Sequence, residues 1–295
     1  MARSLGSGGR VIGQHSFWPS PEMRFAVGDN RHFVPAQPAP GQNHLLAALP
    51  QQERQRLVPD LEPCPLPSGW TIHDAGDRER YLYFITAGIV SRVYVTASGA
   101  SAEFAVTGNE GVIGIAAFLG GGSTTSRAVV LSPGYSYRLR SDRLQHEFEH
   151  DGPLPRLLLR YTRALIAQIG LISACKRHHT LEQRLCRWIL CCLDRLPTNE
   201  MALTQELIAD MLGVRREGVT EAVGRLQRAG LIHCSRGHIV VVDRPALEAQ
   251  ACGCYAVVKR EYDSLLADYR HAEAPSWAPP VTRVHSFPQQ SEVPV

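Results

Sequence analysis

The residues with the clearest chemistry lie in one segment, LTQELIADMLGVRREGVTEAVGRLQRAGLI, which runs from Leu203 to Ile232. Arg215 and Arg216 are adjacent in it, and Glu221 follows shortly after them. A guanidinium group can donate two hydrogen bonds to the edge of guanine, and a carboxylate can accept one from cytosine. These residue types at this spacing favour a surface that reads DNA bases.

Two helices joined by a tight turn would hold these side chains. Thr204 is a suitable N-cap for a first helix that reaches about Leu212, and Gly213 tolerates the positive φ of the turn. The second helix is predicted from about Arg215 to Ala229. The sequence LIHCSRGHIVVVD that follows predicts two strands around a turn, which is a β-wing.

The predicted DNA contacts lie at the starts of both helices, along the second helix and on the wing. Helix N-termini suit phosphates, whereas side chains near the start of the second helix meet base edges. The predicted contact residues are Thr204, Gln205, Arg215, Arg216, Glu217, Gly218, Thr220, Glu221, Arg225 and Arg236. The alternative is a helical hairpin with solvated arginines, which leaves the wing unexplained. Residues 203–243 hold five arginines and five acids, so tight binding would need a dimer.

The segment upstream predicts a different kind of domain. From Trp70 to Leu139 short apolar stretches alternate with turn residues, which is typical of a small antiparallel barrel or jelly roll. A short helix is expected before it, from about Asn43 to Leu57, because an asparagine cap precedes an apolar run there.

A long helix is predicted between the two regions. Apolar residues recur at alternating spacings of four and three over three heptads, which is an a/d seam. Two interpretations stay open: the seam packs on the helix's own domain, or it pairs with a second copy in a parallel dimer. The residues of the candidate dimer seam are Leu154, Leu158, Tyr161, Leu165, Gln168 and Ile172. A further helix is expected after the capping box formed by Thr180 and Gln183.

Composition limits the class of protein to which the chain can belong. The 295 residues are 44% hydrophobic and 20% charged with a net charge of +3, which is globular composition and no proof of a nucleic-acid partner. No uninterrupted apolar run of membrane-spanning length or secretory h-region is apparent. Residues 1–42 are expected to be a disordered extension, within which Met23 is a candidate natural start, and residues 271–295 a flexible tail.

From about Asn43 to Leu266 the chain resembles a Crp/Fnr-type transcriptional regulator, most specifically in the segment LTQELIADMLGVRREGVTEAVGRLQRAGLI. The resemblance implies an α+β fold: an N-terminal antiparallel β-roll of the cyclic-nucleotide-binding type (residues 43–150), a long dimerisation helix (151–178), a C-terminal winged helix-turn-helix (179–250) and a C-terminal helix (251–270). It implies a non-enzymatic homodimer in the bacterial cytoplasm that binds double-stranded DNA at a palindromic site, with RNA polymerase as a further candidate partner. Half-sites would lie about one helical turn apart.

Only some of the family's base-reading residues have a counterpart in this sequence. In the family the second helix reads bases with an Arg-Glu pair, which Arg216 and Glu217 match. Glu221 stands where the cyclic-AMP receptor protein has an arginine. Because a carboxylate cannot make that guanine contact, the half-site is expected to differ there.

The sensor loop departs from the pattern of the family's cyclic-nucleotide branch. The cyclic-nucleotide branch of the family holds the ribose with a glutamate and the phosphate with an Arg-Ser or Arg-Thr pair. Here Ile115 takes the place of the glutamate, and Ser126-Arg127 replaces the pair. Cyclic AMP is therefore not expected to bind. Arg127 is a weak candidate for an effector contact, and it could equally be a solvated charge at a strand end.

No cofactor or metal is predicted. Only Cys64 precedes Cys175, which is too few cysteines for the family's iron–sulfur site. Cys252 and Cys254 are a weak metal signal without a second pair or a nearby histidine, so a redox or metal role for them and Cys234 is kept as a hypothesis.

Three functional alternatives to a signal-controlled regulator stay open. One is a regulator that does respond to a cyclic nucleotide, and another is a constitutive or architectural DNA-binding protein with a vestigial sensor. The third is an enzyme or kinase-type regulatory subunit built on the β-roll. The sequence disfavours the third, because Gly120-Gly121-Gly122 lacks the lysine of a phosphate-binding loop.

Overall fold

The computed structural model describes residues 38–97, 99–150, 152–235 and 237–266. It confirms the predicted α+β class, with an antiparallel sheet domain, a long helix and a helical domain that carries a small sheet. The strands are β1 (Glu62–Leu66), β2 (Thr71–His73), β3 (Tyr81–Val95), β4 (Ser101–Thr107), β5 (Val112–Ile113), β6 (Arg127–Arg140), β7 (Glu200–Ala202), β8 (Ile232–Ser235) and β9 (His238–Val241). The helices are α1 (His44–Ala47), α2 (Gln51–Leu57), α3 (Ser141–Glu149), α4 (Pro153–His178), α5 (Leu181–Leu193), α6 (Gln205–Leu212), α7 (Arg216–Arg228), α8 (Arg244–Gln250) and α9 (Cys254–Leu265).

The N-terminal domain is a β-roll built around two long strands. The sheet order is β1-β6-β3-β4, with β2 paired to β6 and β5 paired to β3, all antiparallel. Strands β3 and β6 change register near Gly88 and Gly134, so each bends and serves both sides of the roll. Gly88 has a φ of 87°, a conformation that residues with a Cβ rarely adopt.

The β-roll begins earlier in the chain than predicted. Residues 1–37, including Met23, and the tail 271–295 lie outside the described residues. Residues 38–42 were expected to be disordered, but Pro40–Gln42 forms a 3-10 helix. The backbone oxygen of Pro38 accepts a 3.0 Å hydrogen bond from the Tyr137 hydroxyl, which fixes this segment to β6.

Helix α4 packs along its own β-roll, and this corrects the predicted dimer seam. All six seam residues are buried within the chain: Leu154, Leu158, Tyr161, Leu165, Gln168 and Ile172. The Tyr161 hydroxyl donates to the backbone oxygen of Val112 at 3.1 Å, and Tyr262 of α9 donates to Gln168 at 2.7 Å. A face already covered by the same chain cannot also bury itself against a second copy, so the alternative of packing on its own domain holds.

The sequence shows no uninterrupted apolar run of membrane-spanning length, but helix α4 meets a looser criterion of length and mean hydropathy. Of the helices in the described parts of the chain, α4 is the one long and apolar enough to do so, with a mean hydropathy of 1.2 over its most apolar 18 residues. Length and composition alone give this result, and core helices of soluble proteins share it.

The C-terminal domain is a winged helix-turn-helix. The predicted capping box is confirmed, since the Thr180 side chain accepts from the backbone N–H of Gln183 and the Gln183 side chain reaches back to Thr180. Gly213 ends α6 at a φ of 64°. Helix α7 begins at Arg216, one residue later than predicted, because Arg215 is its extended N-cap. Strands β8 and β9 form the wing, and β9 also pairs with β7.

Candidate functional site

Helix α7 is divided into an apolar and a polar side. Val219, Ala222, Val223 and Leu226 are almost wholly buried in the core of the winged domain. The opposite side is exposed and carries the predicted base-reading residues Arg216, Glu217, Thr220 and Glu221. Arg215 is exposed just ahead of the helix. The polar side of the first two turns is therefore free in a single chain to approach a partner, as a recognition helix requires.

The two helices of the motif are joined by a polar contact on this surface. Thr220 donates from its hydroxyl to Gln205 Oε1 at 2.8 Å, and Gln205 opens α6. Thr204 caps α6 by accepting from the backbone N–H of Leu207 at 3.2 Å. The structure thus brings Thr204, Gln205 and Thr220 together at the start of α6 and the first turns of α7.

Three predicted contact residues need correction or qualification. A Cβ placed on Gly218 would lie 3.0 Å from Leu181 Cδ2, so a side chain at this half-buried position would point towards α5 and only the backbone could face DNA. Arg225 Nε donates to Glu182 Oε2 at 2.6 Å, so that guanidinium is partly neutralised by the protein itself. Arg236, which the sequence predicts on the wing, lies outside the described residues.

Arg127, the weak effector candidate, is not free to bind a phosphate. It is buried, and its guanidinium donates to both carboxylate oxygens of Asp74 at 3.1 and 2.5 Å. This ion pair lowers the pKa of Asp74 even though partial burial raises it. An anion would have to displace Asp74. The backbone N–H of Ala116, beside Ile115, donates to the buried Glu79 at 2.6 Å, so a carboxylate already occupies that donor too.

A cavity of about 320 Å³ lies where the β-roll, the winged domain and α9 meet. Glu110 contributes from the roll, and Arg195 and Tyr255 contribute from the other side. Glu110 accepts from Arg195 Nε at 2.7 Å, an ion pair that sequence analysis missed because 85 residues separate its partners. A small molecule bound in this cavity would touch both domains.

A buried glutamate on β4 was also missed. Glu103 is 3% exposed and lies where β4 meets α5 of the winged domain. Burial raises the pKa of its carboxyl. A charged residue within the otherwise apolar stretch AEFAV was a signal that could have marked it.

The cysteines fall into different environments. Cys191 and Cys192 belong to the buried core that α5 forms, and burial raises the pKa of both thiols. Cys252 and Cys254 lie beside Cys175 and His179, so the partners that the sequence did not reveal come from α4 and the residue after it. Cys234 is half-buried on β8 and lies outside that cluster.

Two family models match the chain in the order of its domains. The model of the cyclic nucleotide-binding domain matches residues 64–151, and that of the Crp-like helix-turn-helix domain matches residues 183–250. The chain belongs to the Crp/Fnr family of transcriptional regulators. Its helix-turn-helix is a DNA-binding domain, and its β-roll has the cyclic-nucleotide-binding fold.

Solved Crp/Fnr structures share this architecture. FixK2 from Bradyrhizobium japonicum is 18% identical, with a TM-score of 0.58 over 65% of this chain and 98% of that one. TTHB099, a CRP-family regulator from Thermus thermophilus, is 24% identical, with a TM-score of 0.54 over 64% and 96%. The c-di-GMP-responsive regulator CLP from Xanthomonas campestris is 17% identical, with a TM-score of 0.52 over 64% and 97%. At these identities the likeness is one of fold. No curated protein matches the sequence.

Proposed function

We propose that this Crp/Fnr regulator is a homodimer that reads a palindromic DNA site and changes its affinity in response to a signal received by the β-roll. The observation that carries the proposal is the exposed Arg216-Glu217 pair on the first turn of α7, held above a buried apolar side. Arg216 can donate to guanine and Glu217 can accept from cytosine, which gives a major-groove surface with base preference.

A different face of α4 supports the dimer. Leu159 and Ile166 are exposed by 53% and 63%, although both are apolar. They are seven residues apart and therefore share one face of the helix, two turns from each other. Pairing α4 with its symmetry mate along this face would cover both side chains and bring two recognition helices to one DNA duplex.

Contacts across the domain boundary support control of the DNA-binding domain by the β-roll. Trp188 and Arg195 of the winged domain donate hydrogen bonds to Glu103 and Glu110 of the roll, respectively. A ligand that binds one arrangement of these contacts better than another would shift the orientation of α7. The Asp74–Arg127 ion pair argues against a cyclic nucleotide as that ligand, since the phosphate would compete with a carboxylate already in place.

The test is selection of DNA from a random duplex pool by the purified full chain at fixed, near-physiological salt, because protein–DNA affinity depends steeply on salt. We expect enrichment of one palindrome, with a base preference that Arg216→Ala relaxes. Recovery of DNA without a shared sequence, both with and without added cell metabolites, would contradict sequence-specific reading. It would favour an architectural role.

A further inference from the structure

Four side chains of metal-binding type converge beside the C-terminal end of α4. Their ligand atoms all lie within 4.8 Å of one another, and they belong to Cys175, His179, Cys252 and Cys254. The Sγ atoms of Cys175 and Cys252 are 3.4 Å apart. The Sγ of Cys254 is 3.8 Å from His179 Nδ1. Two pairs distant in sequence thus form a single cluster.

The local structure explains how each pair presents its ligands. Cys175 and His179 are four residues apart, so the last turn of α4 and its C-cap place them on one side. Cys252 and Cys254 flank Gly253, which joins α8 to α9. One pair of ligands therefore comes from the long helix, and the other comes from the connection between α8 and α9.

We propose that Cys175, His179, Cys252 and Cys254 bind one zinc(II) ion in a closed tetrahedral site. Three thiolates and one imidazole are a common ligand set of structural zinc sites. With Zn–S bonds of about 2.3 Å, tetrahedral geometry places ligand atoms about 3.8 Å apart. The separations of 3.4 and 3.8 Å are close to that spacing. All four positions are filled by protein, so the ion would hold structure and have no open position for catalysis.

Two other fates of these cysteines fit the geometry less well. A disulfide needs sulfur atoms about 2.05 Å apart, whereas Cys175 and Cys252 are at 3.4 Å with His179 and Cys254 beside them. An iron–sulfur cluster spreads its thiolates over more than one iron atom, whereas these ligand atoms crowd around one point. One imidazole among three thiolates favours zinc over copper(I), which selects soft sulfur ligands.

A buried arginine beside the cluster supplies the compensating charge. Arg187 on α5 is 4% exposed, its Nε has no hydrogen-bond partner among the described residues, and its charge interacts with Cys175 and Cys252. On binding, zinc(II) forms three Zn–S bonds and one Zn–N bond, the three thiol protons leave to solvent, and no atom changes oxidation state. The site then carries one net negative charge, which Arg187 balances.

Bound zinc would join the end of α4 to the start of α9. Both helices already pack together through Tyr262 and Gln168. Because a preformed site is absent from the unfolded chain, the binding free energy adds to folding stability. The ion would therefore fasten the winged domain to the long helix, independently of whether DNA is bound.

Metal analysis tests the proposal directly. The full chain is purified with a phosphine reductant and without chelator, and its metals are measured by inductively coupled plasma mass spectrometry. We expect about one zinc per chain, as for other closed Cys3His sites. Cys252→Ser and His179→Ala should lose the zinc, whereas Cys234→Ser, which changes a half-buried cysteine outside the cluster, should keep it. Stoichiometric iron or copper would overturn the assignment to zinc.

Cobalt substitution covers the case in which a variant fails to fold or zinc is lost during purification. Reduced, chelator-treated wild-type protein is titrated with cobalt(II) alone. We expect the visible bands of tetrahedral cobalt–thiolate, their loss on addition of zinc, and a higher melting temperature with zinc than without. A folded wild-type protein that takes up neither ion would refute the site. These readouts do not involve DNA, so their failure is separable from failure of the proposed regulatory function.

Discussion

Trp188 donates its indole N–H to Glu103 Oε1 at 2.8 Å, across the boundary between the winged domain and the β-roll. The other carboxylate oxygen of Glu103 accepts from the Ser91 hydroxyl at 2.6 Å, and its backbone oxygen accepts from Lys176 Nζ at 2.9 Å. One buried residue of the roll therefore contacts the long helix and the DNA-binding domain together.

Glu103 should make the stability of the protein depend on pH. Burial raises the pKa of its carboxyl above the ordinary 4.5, so the folded state binds a proton that the unfolded state has lost. The stabilisation is fully present below the ordinary pKa and is lost as pH rises through the raised pKa. Glu103→Gln should remove this contribution, because an amide can accept from Trp188 and donate to Ser91 without titrating. Urea unfolding between pH 4 and pH 8 measures the slope.

Glu103→Ala provides the contrast for that experiment. It leaves the Trp188 N–H without its buried acceptor, which costs about 1–3 kcal/mol. The Ser91 hydroxyl loses its bond to the carboxylate and keeps only the weaker acceptor Met211 Sδ at 3.3 Å. An unchanged slope in Glu103→Gln would show that other groups set the pH dependence.

Changing the exposed face of α4 should produce monomers. We expect Leu159→Glu combined with Ile166→Glu to abolish the dimer, because each carboxylate would be desolvated in the pairing face. Light scattering after size-exclusion chromatography gives the mass. Leu119→Glu is the matched control, since Leu119 is 49% exposed but lies on the β-roll. A dimer that survives both α4 changes would move the interface elsewhere.

Arg216 should carry base specificity. Arg216→Ala is expected to weaken binding to the selected palindrome by about 1–3 kcal/mol per half-site and to relax the preference at one base position. Arg80→Ala removes the same charge from an exposed position on the β-roll and should leave binding nearly unchanged. Competition binding with single-base variants of the site distinguishes the two. Equal losses on all sequences would make Arg216 a phosphate contact.

The charges of Glu110 and Arg195 should contribute to the free energy of unfolding as a pair, so that removing one changes the effect of removing the other. Arg195 Nε is 2.7 Å from Glu110 Oε1, and both side chains are almost fully buried. Glu110→Gln leaves the guanidinium without its counter-charge and should destabilise the fold by about 3–5 kcal/mol. Adding Arg195→Met should recover much of that loss, because the uncompensated charge is then gone. Denaturant unfolding of the two single variants and the double variant gives the coupling free energy. Additive losses would mean that the two charges do not act as a pair.

Local signals predicted much of the fold. Caps such as Thr180 and Thr204 and the turn at Gly213 act within a few residues, so the sequence displays them directly. The a/d pattern of α4 identified a buried face but could not say what covers it, because apolar burial has no preferred partner. The exposure of Leu159 and Ile166 has no signal in the sequence, because apolar residues occur on several sides of α4.

Long-range pairs could not be predicted in the same way. Cys175 and Cys252 are 77 residues apart, and Arg195 and Glu110 are separated by 85. A separation of that length in the sequence says nothing about the distance between two side chains. That distance depends on how the β-roll, α4 and the winged domain pack together. The position of Gly218 near the start of α7 predicts a DNA contact, but the side of α7 on which it lies depends on how α7 packs against α5.

The contact of Lys176 with the backbone oxygen of Glu103 has a practical consequence. The chain contains only two lysines, Lys176 and Lys259, against 29 arginines. Lys259 is exposed and lines the cavity beside Glu110, whereas Lys176 is half-buried against Glu103. A lysine-specific protease, or an acylating reagent aimed at amines, thus has one freely accessible side-chain target and one that is partly protected by contact with the β-roll. Separation of the β-roll from the end of α4 would expose Lys176, so cleavage or acylation there would report which arrangement of the domains a given metabolite favours.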